Sequence, residues 1–447
     1  MHATLDDPAE SAAVDPFSFW VRGWLWLDSA HVNLAAVEVW SADTLLGETS
    51  ALLARPDVAV ALALPPSTPT GFAFHASYAH APLGASFELC LHARFRDGTR
   101  TPPLTGKKIT ALAAPAHPLG ALRAALSPAA RGLEIGAHDL PTPGLTPYFT
   151  DSVAAYACID GHVDFLSDAR SLPLPADTLD YLCSSHVIEH LPDPLAALRE
   201  WHRVLRPGGF LYLVAPDKRF TFDAPRPVTT AAHLLRDFLT TTTAADAAAH
   251  IDEFIFQVDW EKLQPGTPPP EKPLRQAESR AYYLRELHAG RMIDIHFHTF
   301  TPDSLHAALH AAGFIGGFAP LFNLVARAER YPPERADGIA FLLRKHGARP
   351  ARPAAETAVL RHTDPAIAPL PLVCPVTLSP LHETTDASGH RTLRSALGGH
   401  AYSCDGPRPN LLPPAGVRPI RPWSSPTWRR LRHALSCLRL SLKSTSG

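Results

Sequence analysis

The chain has 447 residues, 46% of them hydrophobic, and its 41 basic and 43 acidic side chains leave a net charge of −2. The length suits about three domains at roughly 150 residues each, and the near-neutral balance excludes a whole-chain field that would recruit nucleic acid or an acidic surface. No stretch approaches the roughly 20 apolar residues of a membrane span, and six scattered cysteines fit reduced thiols, so a cytoplasmic protein is expected.

The start, "MHATLDDPAESAAVDPF", is acidic and lacks the basic-then-apolar order of an export signal. Across residues 1–115, short runs such as "FWVRGWLWLD", "AAVEVWSA", "VAVALAL", "TGFAFHASY" and "FELCLHARF" alternate with Asp, Gly, Pro and Ser clusters, the pattern of an antiparallel β-sandwich. Its Trp20, Trp24, Trp26 and Trp40 either line a carbohydrate-binding face or fill the sandwich core and edges. Over residues 116–346 the pattern becomes strand, helix, strand: "GLEIGA", "DTLDYLCSSHVI", helical "DPLAALREWHRVL", then "GGFLYLVAP". That order predicts an α/β domain with a parallel sheet and helices on both faces. Within it, Asp193 caps a helix with Pro194 at its first position, Leu195, Leu198, Trp201 and Leu205 form the apolar stripe, and Pro207-Gly208-Gly209 ends it.

The segment "SDARSLPLPADTLDYLCSSHVIEHLPDPLAALREWHRVLRPGGFLYLVAPD" resembles the centre of class I S-adenosylmethionine-dependent methyltransferases of the type 11 domain family. "PDKRFTFDAPRPVTTAAHLLRDF" and "DIHFHTFTPDSLHAALHAAGF" look like a subgroup associated with bacterial surface-glycan assembly, so the resemblance spans about residues 130–346. It implies a Rossmann-like sheet, S-adenosyl-L-methionine as cofactor, and methyl transfer to an oxygen or nitrogen of a glycan-related acceptor. In such a site Glu134 meets the methionine ammonium, or serves only as a buried cap. Gly136 lets the backbone approach the cofactor, Asp151 binds ribose or caps a loop, and Asp168 with Ala169 contacts adenine. One departure stands out: His138 and Leu140 take the places of the second and third glycines of the usual loop. The loop "AHDLPTPG" reads as rebuilt, and the alternative, a lost cofactor site in a non-catalytic binding protein of glycan assembly, makes the opposite prediction about binding.

On the acceptor side, "SSHVIEHLPD" offers His186 as base or acceptor-positioning group with Glu189 and His190 beside it; a capped turn is the competing reading. Asp217, Lys218 and Arg219 either bind an anionic acceptor or form an internal ion pair. His296 and His298 alternate as on a strand and face the substrate; with no matched third ligand, no metal is expected. Residues 347–371 are Pro- and Ala-rich and read as a linker. In 372–415, "CPVTLSPL" and "AYSCDGPRPNLLPP" resemble the small zinc-ribbon-like tRNA-methyltransferase activator family, an α+β module. That likeness suggests an RNA-modifying alternative, opposed by the lack of a basic excess. Thr377 replaces the usual second cysteine of its opening turn, leaving Cys374 and Cys404, so the module is read as metal-free. Residues 416–447 carry Trp428, Leu431, Leu435, Leu438 and Leu442 at helical spacing within a basic tail. Such a tail contacts anionic lipid, a partner helix or the protein's own surface.

Overall fold

The computed structural model describes residues 2–413 apart from 18, 79–80, 114, 139, 157–158, 241–247, 290, 317–319, 332–335, 348–356 and 405–407. The basic tail of 416–447 lies outside the described residues. Among them, no helix is long and apolar enough to cross a membrane.

Alternating runs near the N-terminus build two packed sheets. One contains His2–Asp7, Phe19–Trp26, Pro69–Ala76 and Leu53–Ala54; the other contains Ala13–Val14, Thr105–Ala111, Ser86–Phe95, Leu34–Ser41 and Thr44–Thr49. Every second residue turns inward, so Val21, Leu25, Val37, Val39, Phe72, Leu89, Leu91 and Ile109 share one core. The opposite face of Phe19–Trp26 carries Trp20, Trp24 and Trp26, which therefore lie outside the core, with Arg22 stacked 4.8 Å from the Trp20 ring. One run departs from the strand expectation. "VAVALAL" begins inside the helix Pro56–Ala61, because Pro56 occupies the first turn and Asp57 pairs with Arg55 there. Alternating Val and Ala over so few residues cannot separate the two periods.

The central domain is a seven-stranded sheet: β1 (Gly132–Ile135), β2 (Tyr148–Asp151), β3 (Phe165–Leu166), β4 (Leu179–Ser185), β5 (Leu205–Pro216), β6 (Phe322–Tyr331) and β7 (Gly338–Lys345). Their spatial order is 3-2-1-4-5-7-6, with β7 antiparallel to both neighbours and the pairs from β3 through β5 parallel. The order reverses between β1 and β4, placing the ligand crevice beyond their carboxyl ends. Helix α1 (Pro118–Ala125) covers one face through Leu119 and Leu122, joined by Phe17 from the sandwich. Helices α2 (Pro194–Val204), α3 (Ala231–Thr240) and α6 (Pro302–Ala311) cover the other. Between α3 and α6, α4 (Ala248–Phe256) and α5 (Lys272–His288) form an insertion with its own small core of Ile251, Phe254, Ile255 and Leu287.

The sequence fixes α2 most sharply. The Asp193 carboxylate accepts the Ala196 N–H at 3.0 Å, Pro194 opens the helix, and Leu195, Leu198 and Trp201 are buried. The helix stops at Val204, and Gly208 (φ +81°) and Gly209 bend the chain within the first part of β5; a Cβ on Gly209 would lie within 3.1 Å of three backbone oxygens.

The Pro- and Ala-rich stretch is not a free linker where it is described. Val359–Leu360 pairs with Leu370–Pro371, and Ile367, Leu370 and Leu372 belong to the central hydrophobic core. Apolar residues between the prolines supply the anchoring that composition alone hides. Beyond them lies a three-stranded sheet, Leu381–Thr385, Arg391–Ser395 and Ala401–Ser403. Its described residues contain β structure and no helix, unlike the expected α+β module.

Candidate active site

At the end of β1, Glu134 is 1% exposed, and its carboxylate accepts the Thr142 N–H at 2.9 and 3.1 Å and the Thr142 hydroxyl at 2.7 Å. Burial pushes its pKa up to about 7, against the pull of these bonds. The departure from a glycine-rich loop thus has a structural role, since "PTPG" brings back Thr142 to clamp the carboxylate. Gly136 (φ +70°) has its would-be Cβ 2.5 Å from Val187 Cγ2. His138 adopts φ +50°, a left-handed conformation that the usual loop assigns to glycine. The β1 loop therefore touches the turn after β4, and a ligand seated on one faces the other.

Asp151 ends β2 and its Oδ1 accepts the Ser152 N–H at 2.6 Å, the geometry of a loop cap. Asp168 lies just past β3, where Arg170 grips its carboxylate through Nε at 3.0 Å and Nη2 at 2.8 Å. The Ala169 carbonyl accepts the Trp201 indole N–H at 2.9 Å, tying this corner to α2.

The turn after β4 holds the acceptor-side residues. His186 has φ +54°, and Ile188–His190 form a single 3-10 turn. Glu189 is fully buried, with His186 Nδ1 at 3.6 Å and His190 Nε2 at 3.8 Å from its Oε1. Burial raises the Glu189 pKa, but His186, His190 and His296 around it outweigh that and hold it below the ordinary value. Burial alone would lower the His190 pKa; Asp294, whose Oδ1 lies 2.9 Å from its Nδ1, and Glu189 raise it.

His296 and His298 do not share a strand face. Residues 291–299 run without strand pairing across the carboxyl ends of the sheet: the Ser152 hydroxyl contacts Met292 Sδ at 3.1 Å, and the Phe297 N–H reaches the Glu189 carbonyl at 2.8 Å. His296 joins His190, rings 4.7 Å apart, and its Nδ1 lies 2.5 Å from Oδ2 of Asp223. His298, wholly buried, turns instead to Asp237, His233 and His250. Ligand atoms of Glu189, His190 and His296 lie within 4.8 Å of one another, as do those of His233, Asp237 and His250. Asp223, Arg226, Asp237 and Asp294 were not singled out by sequence. The only signal for Asp223 was its place in "TFDAPR", since its partner His296 is 73 positions away.

Asp217 is buried and pairs with Arg219 (Nη2–Oδ2 2.6 Å), while Lys218 Nζ donates to the Ala224 carbonyl at 2.7 Å. Of the two readings of this trio, the geometry is that of the internal ion pair. Cys374 Sγ lies 3.1 Å from the Tyr402 hydroxyl and accepts the Thr377 N–H at 3.4 Å; no three-ligand group among the described residues includes Cys374 or Cys404.

Residues 145–213 match a family model described as a methyltransferase domain. A 71-residue segment is 35% identical to 2-methyl-6-phytyl-1,4-hydroquinone methyltransferase 1 of Oryza sativa subsp. japonica, covering 16% of this chain and 22% of that protein. A 44-residue segment is 43% identical to demethylmenaquinone methyltransferase of Lysinibacillus sphaericus, covering 10% and 19%. The matches thus span about a fifth of each relative. An S-adenosylmethionine-dependent methyltransferase from Mesorhizobium loti, a solved structure, aligns at 15% identity with a TM-score of 0.27, over 51% of this chain and 97% of that one. The strand order is that of a Rossmann-like sheet, and the segment that matches the methyltransferase-domain model, residues 145–213, lies within it.

Proposed function

We propose that the protein transfers the methyl group of S-adenosylmethionine to an oxygen or nitrogen of a small-molecule acceptor. The observation that carries this reading is the contact between the Gly136 loop and the Val187 turn, which sets a cofactor seat against the histidine cluster at the switch point of the sheet. The residues fit the cofactor: Gly136 keeps the loop backbone close against Val187, where a Cβ would clash, Glu134 offers a buried carboxylate to an ammonium, and Asp168 stands at the strand end suited to adenine. When bound, the cofactor supplies a methyl carbon already activated by its sulfonium. The protein's task is then mainly orientation, worth up to roughly 7–11 kcal/mol in favourable cases. His186, beside Glu189, takes the acceptor proton as the carbon–sulfur bond breaks and the new carbon–oxygen or carbon–nitrogen bond forms.

The glycan-related acceptor rests on the resemblance of residues near 216–238 and 294–314, beyond the family match that ends at 213. The two named relatives carry hydroquinone and demethylmenaquinone in their names, which makes quinols the natural comparison. Calorimetric titration with S-adenosylmethionine and with its demethylated product is expected to show saturable binding; no binding of either at millimolar concentration overturns the function. Radiolabelled methyl transfer to a panel of sugar nucleotides and quinols then tests the acceptor, and labelling of quinols alone overturns the glycan reading.

A further inference from the structure

The Glu189 carboxylate is sealed from solvent, yet among the described residues neither oxygen has a hydrogen-bond partner. Its neighbours His186 and His190 stand at 3.6 and 3.8 Å, beyond hydrogen-bond length. Buried polar groups are normally satisfied, so the geometry asks for something between these groups. The imidazoles facing Glu189 are prepared for one kind of occupant. Nδ1 of His296 is taken by Asp223, itself held by the buried Arg226 at 2.7 Å, and Nδ1 of His190 lies against Asp294. This leaves each Nε2 available, and carboxylates behind ligating histidines are the usual second layer of a metal centre.

We propose that Glu189, His190 and His296 bind a divalent cation whose open coordination positions take an acceptor oxygen. Metal–ligand bonds of about 2.0–2.2 Å need donor atoms closer than the present spread of up to 4.8 Å, a movement that rotation of the side chains supplies. One carboxylate and two neutral imidazoles leave a net positive charge on the bound ion, so the site favours an ionisable hydroxyl or a carboxylate as the acceptor-side ligand. Methyl transfer consumes no electrons, and a redox-inert ion suffices. This assignment rests on the methyltransferase reading only for the identity of the acceptor side.

Metal-stripped full-length protein, without S-adenosylmethionine or any acceptor, is titrated with Mn²⁺ followed by electron paramagnetic resonance and with Co²⁺ followed by visible absorption. Saturable binding is expected, lost in Glu189→Gln and His296→Ala, weakened about 10- to 100-fold in Asp223→Asn, and retained in His250→Ala. The last variant separates this centre from the cluster of His233, Asp237 and His250. Absence of saturable binding overturns the proposal, as does binding unchanged in Glu189→Gln and His296→Ala or abolished by His250→Ala alone. Circular dichroism checks each fold; should Glu189→Gln not fold, His296→Ala and Asp223→Asn carry the same comparison. Calorimetry with S-adenosylmethionine on the same samples keeps the two claims apart: cofactor binding without metal binding overturns only this inference, and the reverse overturns only the proposed function.

Discussion

A buried carboxylate whose pKa is raised to about 7, as Glu134 is, works as a proton-linked receptor for a cation. Because this value exceeds the ordinary 4.5, the stability Glu134 contributes to the cofactor-free protein is complete below about pH 4.5 and is lost as pH rises through about 7. The difference amounts to about 3 kcal/mol. An ammonium ligand reverses the preference, so cofactor affinity should rise between pH 6 and 8 with proton release at the lower end. Calorimetry in two buffers of different ionisation enthalpy measures that release, and Glu134→Gln should bind more weakly with no pH dependence. Asp168 makes a simpler case: if it accepts the adenine amine, a charge-assisted bond of about 1.5–3 kcal/mol is lost in Asp168→Ala, weakening binding roughly 10- to 140-fold. Unchanged affinity would leave the carboxylate a structural role, with Arg170 as a partner. The positions of Glu134, Gly136 and Asp168 at strand ends were legible because strand ends can be located from a hydrophobic run and the turn that follows it. The pairing of His296 with Asp223 was not, because sequence spacing carries no information about which distant segments meet.

Elements differ in the same way. In α2, the cap, the first-turn proline and the apolar stripe through Trp201 agree, so its start could be read residue by residue; the helix stops at Val204, and the expected terminators Pro207, Gly208 and Gly209 lie within β5. Residues 291–299 alternate like a strand for another reason. Ile293, Ile295 and Phe297 pack into the core of the helical insertion, while His296 pairs with Asp223 and the buried His298 lies against Asp237, so two-sided packing produces a period of two without a ladder. The loop after β1 offers a direct test of its role as a seat. Gly136→Ala combines a positive φ with a Cβ placed 2.5 Å from Val187 Cγ2, and it should cost about 1–3 kcal/mol of stability and weaken cofactor binding. Adding Val187→Ala relieves the contact but not the backbone strain, so partial recovery is expected. Complete recovery would assign the whole effect to crowding, and no loss in the single variant would remove Gly136 from the binding loop.

At the scale of the whole molecule, the residues after the central domain act as part of its core. The Leu411 N–H reaches the Leu166 carbonyl and the Leu166 N–H the Pro409 carbonyl, both at 2.9 Å, so the chain returns as an added pairing at the β3 edge of the sheet. The Tyr148 hydroxyl donates toward the Leu360 and Ala368 carbonyls at 3.1 and 3.2 Å, and the Ser171 hydroxyl bonds the Pro375 carbonyl at 2.7 Å. Covering an edge strand removes a site of unwanted pairing, and here the cover passes close to Asp168. Leu370, Leu372, Cys374, Leu381, Leu393 and Leu411 are buried in the same cluster as Leu133, Leu182 and Trp201. A shared core implies shared cooperativity, so the sheet and its cover should unfold together. Leu370, 0% exposed, gives the cleanest probe. Leu370→Ala is expected to lower stability by about 2–5 kcal/mol, shifting the urea midpoints reported by central-domain tryptophan fluorescence and by far-ultraviolet circular dichroism together. A variant that lost an early transition while Trp201 kept its original midpoint would show that the cover folds as a separate unit.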